Sequence, residues 1–326
     1  MNRVAITGAL SYTGRYLSKY LLSNGTKSVL SLSRRTIPLS SHVLSSSDLS
    51  KITTTTLDFN SREKMEVELK GVDVLFCTYW IRFERDGDTH EKAAERVREL
   101  FLAAKSAGVS KVVFSSHTRT SLTSPYSYIR GKALAESYLR SICSSSTMNY
   151  SIVRPCGIFG DKPVESILMN NAAWVMRRTP LFLLAGKGGE TFQPVHVRDM
   201  AKLMGDLGKS KDTTGEEMDA CGPDAPTALE LFRRLNGSVG GRGFVVPSGL
   251  PTRVIGAMTK PIDWLTGDVL LDTDDLDLLG SGLTFANEPS DPLIKGRRSL
   301  FQWIDEVKDE LGQEYVSSIQ RYYKTK

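Results

Sequence analysis

Cysteine, histidine and tryptophan are scarce, four of each in 326 residues. No apolar run approaches the roughly 18 to 20 residues that a membrane span needs. Cys77, Cys143, Cys156 and Cys221 are far apart in the chain and lack metal-ligand spacing, so the expectation is buried, reduced thiols and no metal site. Charge of one sign is also lacking: 42 Lys and Arg stand against 37 Asp and Glu, a balance of +5. The basic residues are scattered apart from pairs such as Arg34-Arg35 and Arg177-Arg178, which excludes the basic stripe of a nucleic-acid partner. No secretory pattern precedes the first strand-like run, which starts at Arg3 or Val4. An intracellular protein is expected, cytoplasmic or in an organelle matrix or stroma with any targeting segment absent. The chain has no internal repeats, and its serine and threonine runs ("LSSSDLS", "TTTT", "CSSSST") read as loops or a strand edge.

What is present is rhythm. Hydrophobic residues make up 40% of the chain, and in its first half strand-like and helix-like segments alternate: 4–7, 14–22, 28–33, 52–57, 62–69, 74–77, 91–107 and 111–115. A helix over about 126–142 and a strand over 150–153 continue the pattern. This predicts an α/β protein with a doubly wound parallel sheet of Rossmann type. After Pro155 the rhythm breaks into Gly/Pro-punctuated segments with helices near 167–177, 198–207 and 228–235, and the tail from 299 reads as a closing helix pair. The expected division is a dinucleotide-binding domain over 1–155 and a smaller substrate lobe over 156–326, interleaved as one compact unit.

The stretch "VAITGALSYTGRYLSKYLL" turns from strand to helix through Gly8 and Gly14. These stand where the first and last glycines of a T-G-x-x-G-x-x-G turn fall, with Ser11 in the middle place. Such a turn lets a pyrophosphate approach the N–H groups that open a helix. The hydroxyl of Ser11 can donate to that phosphate, or its side chain can narrow the site. About 20 residues on, an NAD-binding strand ends in an acid that grips the ribose, but here the residues read "SVLSLSRRT". With Arg34 and Arg35 where a 2′-phosphate would lie and no acid to repel it, NADP(H) is the expected cofactor and NAD(H) the alternative.

In "SPYSYIRGKALAESYLR", Tyr128 and Lys132 share one helix face. An ammonium beside a tyrosine stabilises the tyrosinate and suits it to general acid/base work. Tyr126 and Arg130 form a competing pair, but arginine cannot release a proton.

Placed about a dozen residues after the fifth strand, "VSKVVFSSHT", this pair gives the chain a resemblance to the short-chain dehydrogenase/reductase superfamily. "VRPCGIFG" and "QPVHVRDMAKLM" are similar to segments of its extended or atypical branch, the NAD-dependent epimerase/dehydratase-like proteins. That subgroup is related to the NADPH-carrying accessory subunit of respiratory complex I. The resemblance implies a phosphate turn of Gly8, Ser11, Tyr12, Thr13 and Gly14, and 2′-phosphate contacts around Ser33, Arg34 and Arg35. It also implies an adenine edge at Asp58 and Phe59, and a ribose floor at Thr78 and Tyr79. Tyr128 and Lys132 become the acid/base pair, and Pro155, Gly157 and Ile158 border the nicotinamide. The superfamily's substrate-binding Ser or Thr falls ambiguously on Ser116, His117 or Thr118. A second departure is Arg96, where the superfamily has an asparagine that supports the catalytic helix through water. His90, His42 and His196 carry no expected chemistry.

The leading expectation is reversible hydride transfer at a carbonyl or alcohol carbon of a small, rather apolar substrate. One alternative is a nucleotide-sugar epimerase or dehydratase, with Arg177 and Arg178 as its diphosphate clamp. Another is a structural subunit that holds NADPH without turnover. A small-molecule substrate, no nucleic acid and a monomeric or homodimeric state complete the expectation.

Overall fold

The structure, a computed structural model, describes residues 1–34, 42–210, 215–250, 254, 282–286, 296 and 298–317. Arg35 lies outside the described residues. Two compact units emerge from the contacts within the chain: Met1–Pro155 with Val197–Asp219, and Cys156–His196 with Ala220–Lys326. The segment 197–219, which the sequence rhythm groups with the second lobe, is therefore part of the first unit.

The first unit alternates β1 (Arg3–Thr7), α1 (Tyr12–Ser23), β2 (Ser28–Ser33), α2 (Ser46–Leu49), β3 (Ile52–Thr56), α3 (Arg62–Leu69), β4 (Val74–Cys77), α4 (His90–Ser106), β5 (Lys111–Ser115), α5 (Ser127–Ser144) and β6 (Asn149–Pro155). The strands run in the order β3-β2-β1-β4-β5-β6 with every neighbouring pair parallel. Central strands such as β4 are buried along their whole length, and this is why they read as continuous apolar runs rather than as alternation. On one face Leu30, Leu75, Val112 and Phe114 join Val97, Phe101 and Leu139 in a single core. After β7 (Ile158–Phe159), α6 (Ile167–Arg178), β8 (Leu181–Leu184) and β9 (Val195–His196) in the second unit, the chain contributes α7 (Val197–Lys209) to the first unit. There Gly208 lies against the Phe76 ring and Gly205 against Tyr20, so two glycines bring α7 close to β4 and α1. The seventh strand, β10 (Glu216–Ala220), joins the sheet beside β6.

The run at 44–50 is not wholly loop. Ser45 and Asp48 form a reciprocal capping box that folds the single turn of α2. In the second unit, β8 pairs with β11 (Phe244–Pro247) and β7 with β9. Phe232 of α8 (Ala228–Ser238) and Trp303 of α9 (Leu300–Val307) enter its core. Of the expected closing helix pair, α9 is described; turns through Gly312 follow it, and 318–326 lie outside the described residues. Here too the diphosphate-clamp expectation fails, because Arg177 donates to the carbonyls of Leu311 and Lys308 and Arg178 to those of Gly312 and Gln313. Both guanidinium groups fasten the segment after α9. All four cysteines are buried, and burial pushes the Cys77 thiol up to about 11. Among the described residues no helix is long and apolar enough to cross a membrane, and no cluster of ligating side chains suits a metal ion.

Candidate active site

The crevice is set by where the strand order reverses. β1 and β4 are neighbours whose crossovers leave in opposite directions, the switch point outside whose carboxyl ends open α/β sheets bind their ligands. The two ends are clipped together there. Thr7 Oγ1 accepts from the N–H groups of Thr78, at 2.7 Å, and Tyr79, at 2.8 Å. Thr78 Oγ1 donates back to the Thr7 carbonyl at 2.6 Å. Thr78 is thus a clamp across the switch point, and Tyr79 projects from it.

On the β1 side the turn has the form a phosphate needs. Gly8 adopts φ +72°, the left-handed region, and its N–H donates to Leu32 O at 2.8 Å. A Cβ on Gly14 would overlap the carbonyl oxygen of Gly8, so glycine is required for the helix to start this close to the strand. Ser11 is the N-cap of α1, its Oγ accepting from Gly14 N at 3.4 Å. The serine in the middle glycine place therefore caps the helix and keeps its own hydroxyl proton for a ligand. No acid lies in the first turn, so the helix opening, with Tyr12 and Thr13, favours an anion. A cradle closed to any side chain at Gly14, joined to an acid-free helix start, fits a dinucleotide's pyrophosphate.

Further along the carboxyl edge, Arg34 follows β2, Phe59 follows β3 and Tyr79 follows β4. The rings of Phe59 and Tyr79 lie 4.7 Å apart, and the Arg34 guanidinium sits 5.5 Å from the Tyr79 ring centre. Ser33 ends β2 beside them. Asp58 accepts from Asn60 N and Lys64 Nζ, which hold its carboxyl below the usual range. Arg96 does not support α5: it donates to the Tyr79 hydroxyl at 3.2 Å and to Asp88 at 2.6 Å.

On the β5 side Tyr128 lies one turn before Lys132 on α5, as their spacing requires. Three rings surround the tyrosine edge-on: His90 at 5.1 Å, His117 at 5.4 Å and Trp80 at 6.3 Å between centres. Gly131 makes the arrangement possible, since a Cβ there would come within 2.8 Å of the His90 carbonyl oxygen where α4 begins. Lys132 is buried, Nζ donating to Ser115 O at 2.8 Å and lying 4.1 Å from the Trp80 ring centre and 5.0 Å from that of Phe114. Burial pulls its pKa down to about 7, so near neutrality it gains and loses its proton rather than standing as a fixed ammonium. Burial likewise draws both His90 and His117 down to about 4. The competing pair is engaged elsewhere: Arg130 donates to the carbonyls of Ser124 and Pro125 and to Glu91.

The three residues at the end of β5 have different partners. Ser116 Oγ donates to Glu136 at 2.5 Å, and Thr118 Oγ1 donates to Asp219 at 3.1 Å. His117 packs edge-on against Tyr128. Its Nδ1 is 2.7 Å from Thr118 O, and a carbonyl only accepts, so Nδ1 carries the proton and Nε2 of the neutral ring is a lone pair. The arginine of "VRPCGIFG" belongs to the same buttress: Arg154 and Arg140 bind Glu136 and Glu217. Pro155 closes β6 and accepts from Thr118 N, while Gly157 and Ile158 belong to the second unit, where Ile158 pairs with Val195.

His90 and Trp80 were not legible as site residues. His90 is wholly buried with both ring nitrogens unpartnered, as is the Trp80 indole nitrogen. Orphaned polar atoms cost about 1–3 kcal/mol each and concentrate where function holds them. A histidine opening the helix after the β4 loop was the signal available.

Comparison with known proteins bears on this geometry. The model of the NAD dependent epimerase/dehydratase family matches residues 4–217. The chain belongs to that family. Among curated relatives, it is 25% identical over 233 residues to NADH dehydrogenase [ubiquinone] 1 alpha subcomplex subunit 9, mitochondrial, of Mus musculus, covering 71% of this chain and 60% of that one. It is also 25% identical over 269 residues to the NADH-ubiquinone oxidoreductase 40 kDa subunit, mitochondrial, of Neurospora crassa, covering 79% and 66%. The chain thus spans less than two thirds of the length of either relative. Among solved structures, the NADPH-dependent quinone oxidoreductase of Escherichia coli complexed with NADPH superposes with a TM-score of 0.71 at 20% identity, over 93% of this chain and 99% of that one. The triphenylmethane reductase of Citrobacter sp. complexed with NADP(H) gives 0.70 at 14%, over 94% and 100%. The likeness to these structures shows a shared Rossmann-type fold.

Proposed function

We propose that this family member is an NADP(H)-dependent oxidoreductase acting at a carbonyl or alcohol carbon of a small, rather apolar substrate. The observation that carries the reading is Tyr128 enclosed by His90, His117 and Trp80, with buried Lys132 against that same Trp80 ring. The turn from Gly8 to Gly14 would hold the pyrophosphate, and Arg34 with Arg35 the 2′-phosphate. Phe59, Thr78 and Tyr79 would face the adenosine. The bound nicotinamide would supply or accept a hydride. Tyr128 then gives its hydroxyl proton to the substrate oxygen in reduction and recovers one in oxidation. Lys132, titrating near neutrality, replaces that proton or takes it up. His117 offers the lone pair of Nε2 to a donor beside the reacting carbon, while Glu136 and Asp219 fix the residues on either side of it.

A second reading is a subunit that carries NADPH without turnover. Two observations favour it: the loop hydroxyls of Ser116 and Thr118 are spent on Glu136 and Asp219, and the curated relatives are named as mitochondrial NADH dehydrogenase subunits. Those relatives also make an organelle matrix the compartment to examine first. The nucleotide-sugar epimerase alternative keeps the support of the family match but loses Arg177 and Arg178 as its diphosphate clamp, since both are bound to carbonyls.

Fluorescence titration tests the cofactor. NADPH is expected to bind at least about tenfold more tightly than NADH, about 1.4 kcal/mol. Changing Arg34 and Arg35 together to alanine should remove the gap. Equal affinities in the parent protein would contradict the assignment.

A further inference from the structure

The cofactor reading leaves Arg96 unused, and its surroundings do not look like those of a packing residue. It stands on α4, its side chain about a quarter exposed (26%), and its guanidinium is divided between two partners. Nη2 pairs with Asp88 at 2.6 Å, and Nη1 donates to the Tyr79 hydroxyl at 3.2 Å. The same tyrosine carries the Arg34 guanidinium 5.5 Å from its ring centre and packs on Phe59. Among the described residues Arg34 makes no ion pair, although its charge is felt by Asp88 and helps hold that carboxyl below its ordinary range, after Arg96 itself. Two guanidinium groups from different elements thus meet on one tyrosine, Arg34 against its ring and Arg96 at its hydroxyl, and of the two it is Arg96 that pairs with Asp88. One positive charge is left over at the carboxyl edge where β2, β3 and β4 end. Guanidinium forks bind phosphate bidentately, and a dianion satisfies two of them where a single carboxylate cannot.

We infer that Arg96 is a specificity-determining residue for the ribose 2′-phosphate. It forms with Arg34 a two-guanidinium cradle organised on Tyr79, and Asp88 is the internal competitor that occupies Arg96 until the phosphate arrives. This rests on the cofactor reading above and extends it from the loop after β2 to α4. It assigns to this arginine the adenosine end of the ligand, not the proton path to Tyr128. It also sets opposite signs for two neighbouring substitutions. Arg96→Gln removes a phosphate ligand, whereas Asp88→Asn removes the group that competes with the phosphate. A merely structural ion pair would respond alike to loss of either partner.

The experiment is calorimetric titration of the full chain with four probes. NADPH and NADH report the whole cofactor, and 2′,5′-ADP and 5′-AMP differ only in the 2′-phosphate. Arg96→Gln is expected to weaken NADPH and 2′,5′-ADP at least about fivefold, about 1 kcal/mol, and to leave NADH and 5′-AMP within about twofold. Asp88→Asn is expected to tighten NADPH and 2′,5′-ADP. Arg96→Lys keeps the charge without the fork and should fall between parent and Arg96→Gln, which guards against a variant that fails to fold. An unchanged NADPH-to-NADH ratio in Arg96→Gln, or parallel weakening of all four probes in both Arg96→Gln and Asp88→Asn, would overturn the inference while leaving the cofactor reading intact. A parent protein that binds none of the probes would overturn both.

Discussion

Replacing Tyr128 by phenylalanine is expected to lower turnover by on the order of 10² or more while NADPH affinity stays within about twofold of the parent. The ring survives the change, and with it the edge-on packing against His90, His117 and Trp80, so the fold should be untouched. What disappears is the transferable proton. Tyr126→Phe is the matched control: Tyr126 lies just before α5, and its partner Arg130 is already bound to loop carbonyls and Glu91. Single-turnover oxidation of NADPH, followed at 340 nm with a panel of apolar ketones and quinones, reads the comparison. Damage from Tyr126→Phe with Tyr128→Phe unimpaired would move the chemistry off the Tyr128 and Lys132 face.

The second large effect is on stability, and its sign follows from burial. In the native state the Lys132 pKa is pulled down to about 7 from an ordinary value of 10.5. Between these two values the unfolded chain binds a proton that the native protein does not, so native stability rises with pH across that window. The cost of burying the lysine is complete below about pH 7 and vanishes above the unfolded value. Lys132→Met has no such dependence. Its stability relative to the parent should therefore improve by as much as about 3–5 kcal/mol as pH falls from about 10.5 to 7. The lost bond to Ser115 O, which the neutral amine also makes, lowers the variant across the window and does not set that slope. Denaturant melts of both proteins across the window measure it. A gap independent of pH would mean that Lys132 keeps its charge in the folded protein. The same substitution should depress turnover, so stability gained at neutral pH and activity lost would appear together.

The sheet was legible because its strands are short apolar runs separated by helices with a clear buried face, and because Gly8 and Gly14 mark a turn that no other residue type closes. Tyr128 and Lys132 were legible because four residues on a helix fix a shared side. The identity of the residue beside Tyr128 was not. Choosing among Ser116, His117 and Thr118 depends on where Glu136 and Asp219 lie, 20 and 101 residues away, and strand periodicity carries no information about such partners. The same limit hid the use of Arg96, which is set by Tyr79 and Asp88, and the burial of Lys132, whose spacing from Tyr128 says nothing of the Trp80 and Phe114 rings around it. Arg177 and Arg178 were misread for a related reason. A pair of exposed-looking arginines at a helix end suggests an anion, but the last carbonyls of a following segment satisfy guanidinium groups equally well.

The central claim is a working oxidoreductase and not a static holder of nucleotide, and the rate at which NADPH leaves separates the two without a known substrate. An enzyme must release its cofactor at least as fast as it turns over, and ordinary turnover runs at about 1 s⁻¹ or faster. Protein saturated with NADPH is mixed in a stopped-flow instrument with a large excess of NADP⁺, and the loss of bound-NADPH fluorescence is recorded. The account predicts complete exchange within seconds. Retention of NADPH for hours, or no binding of NADPH at all, would contradict it.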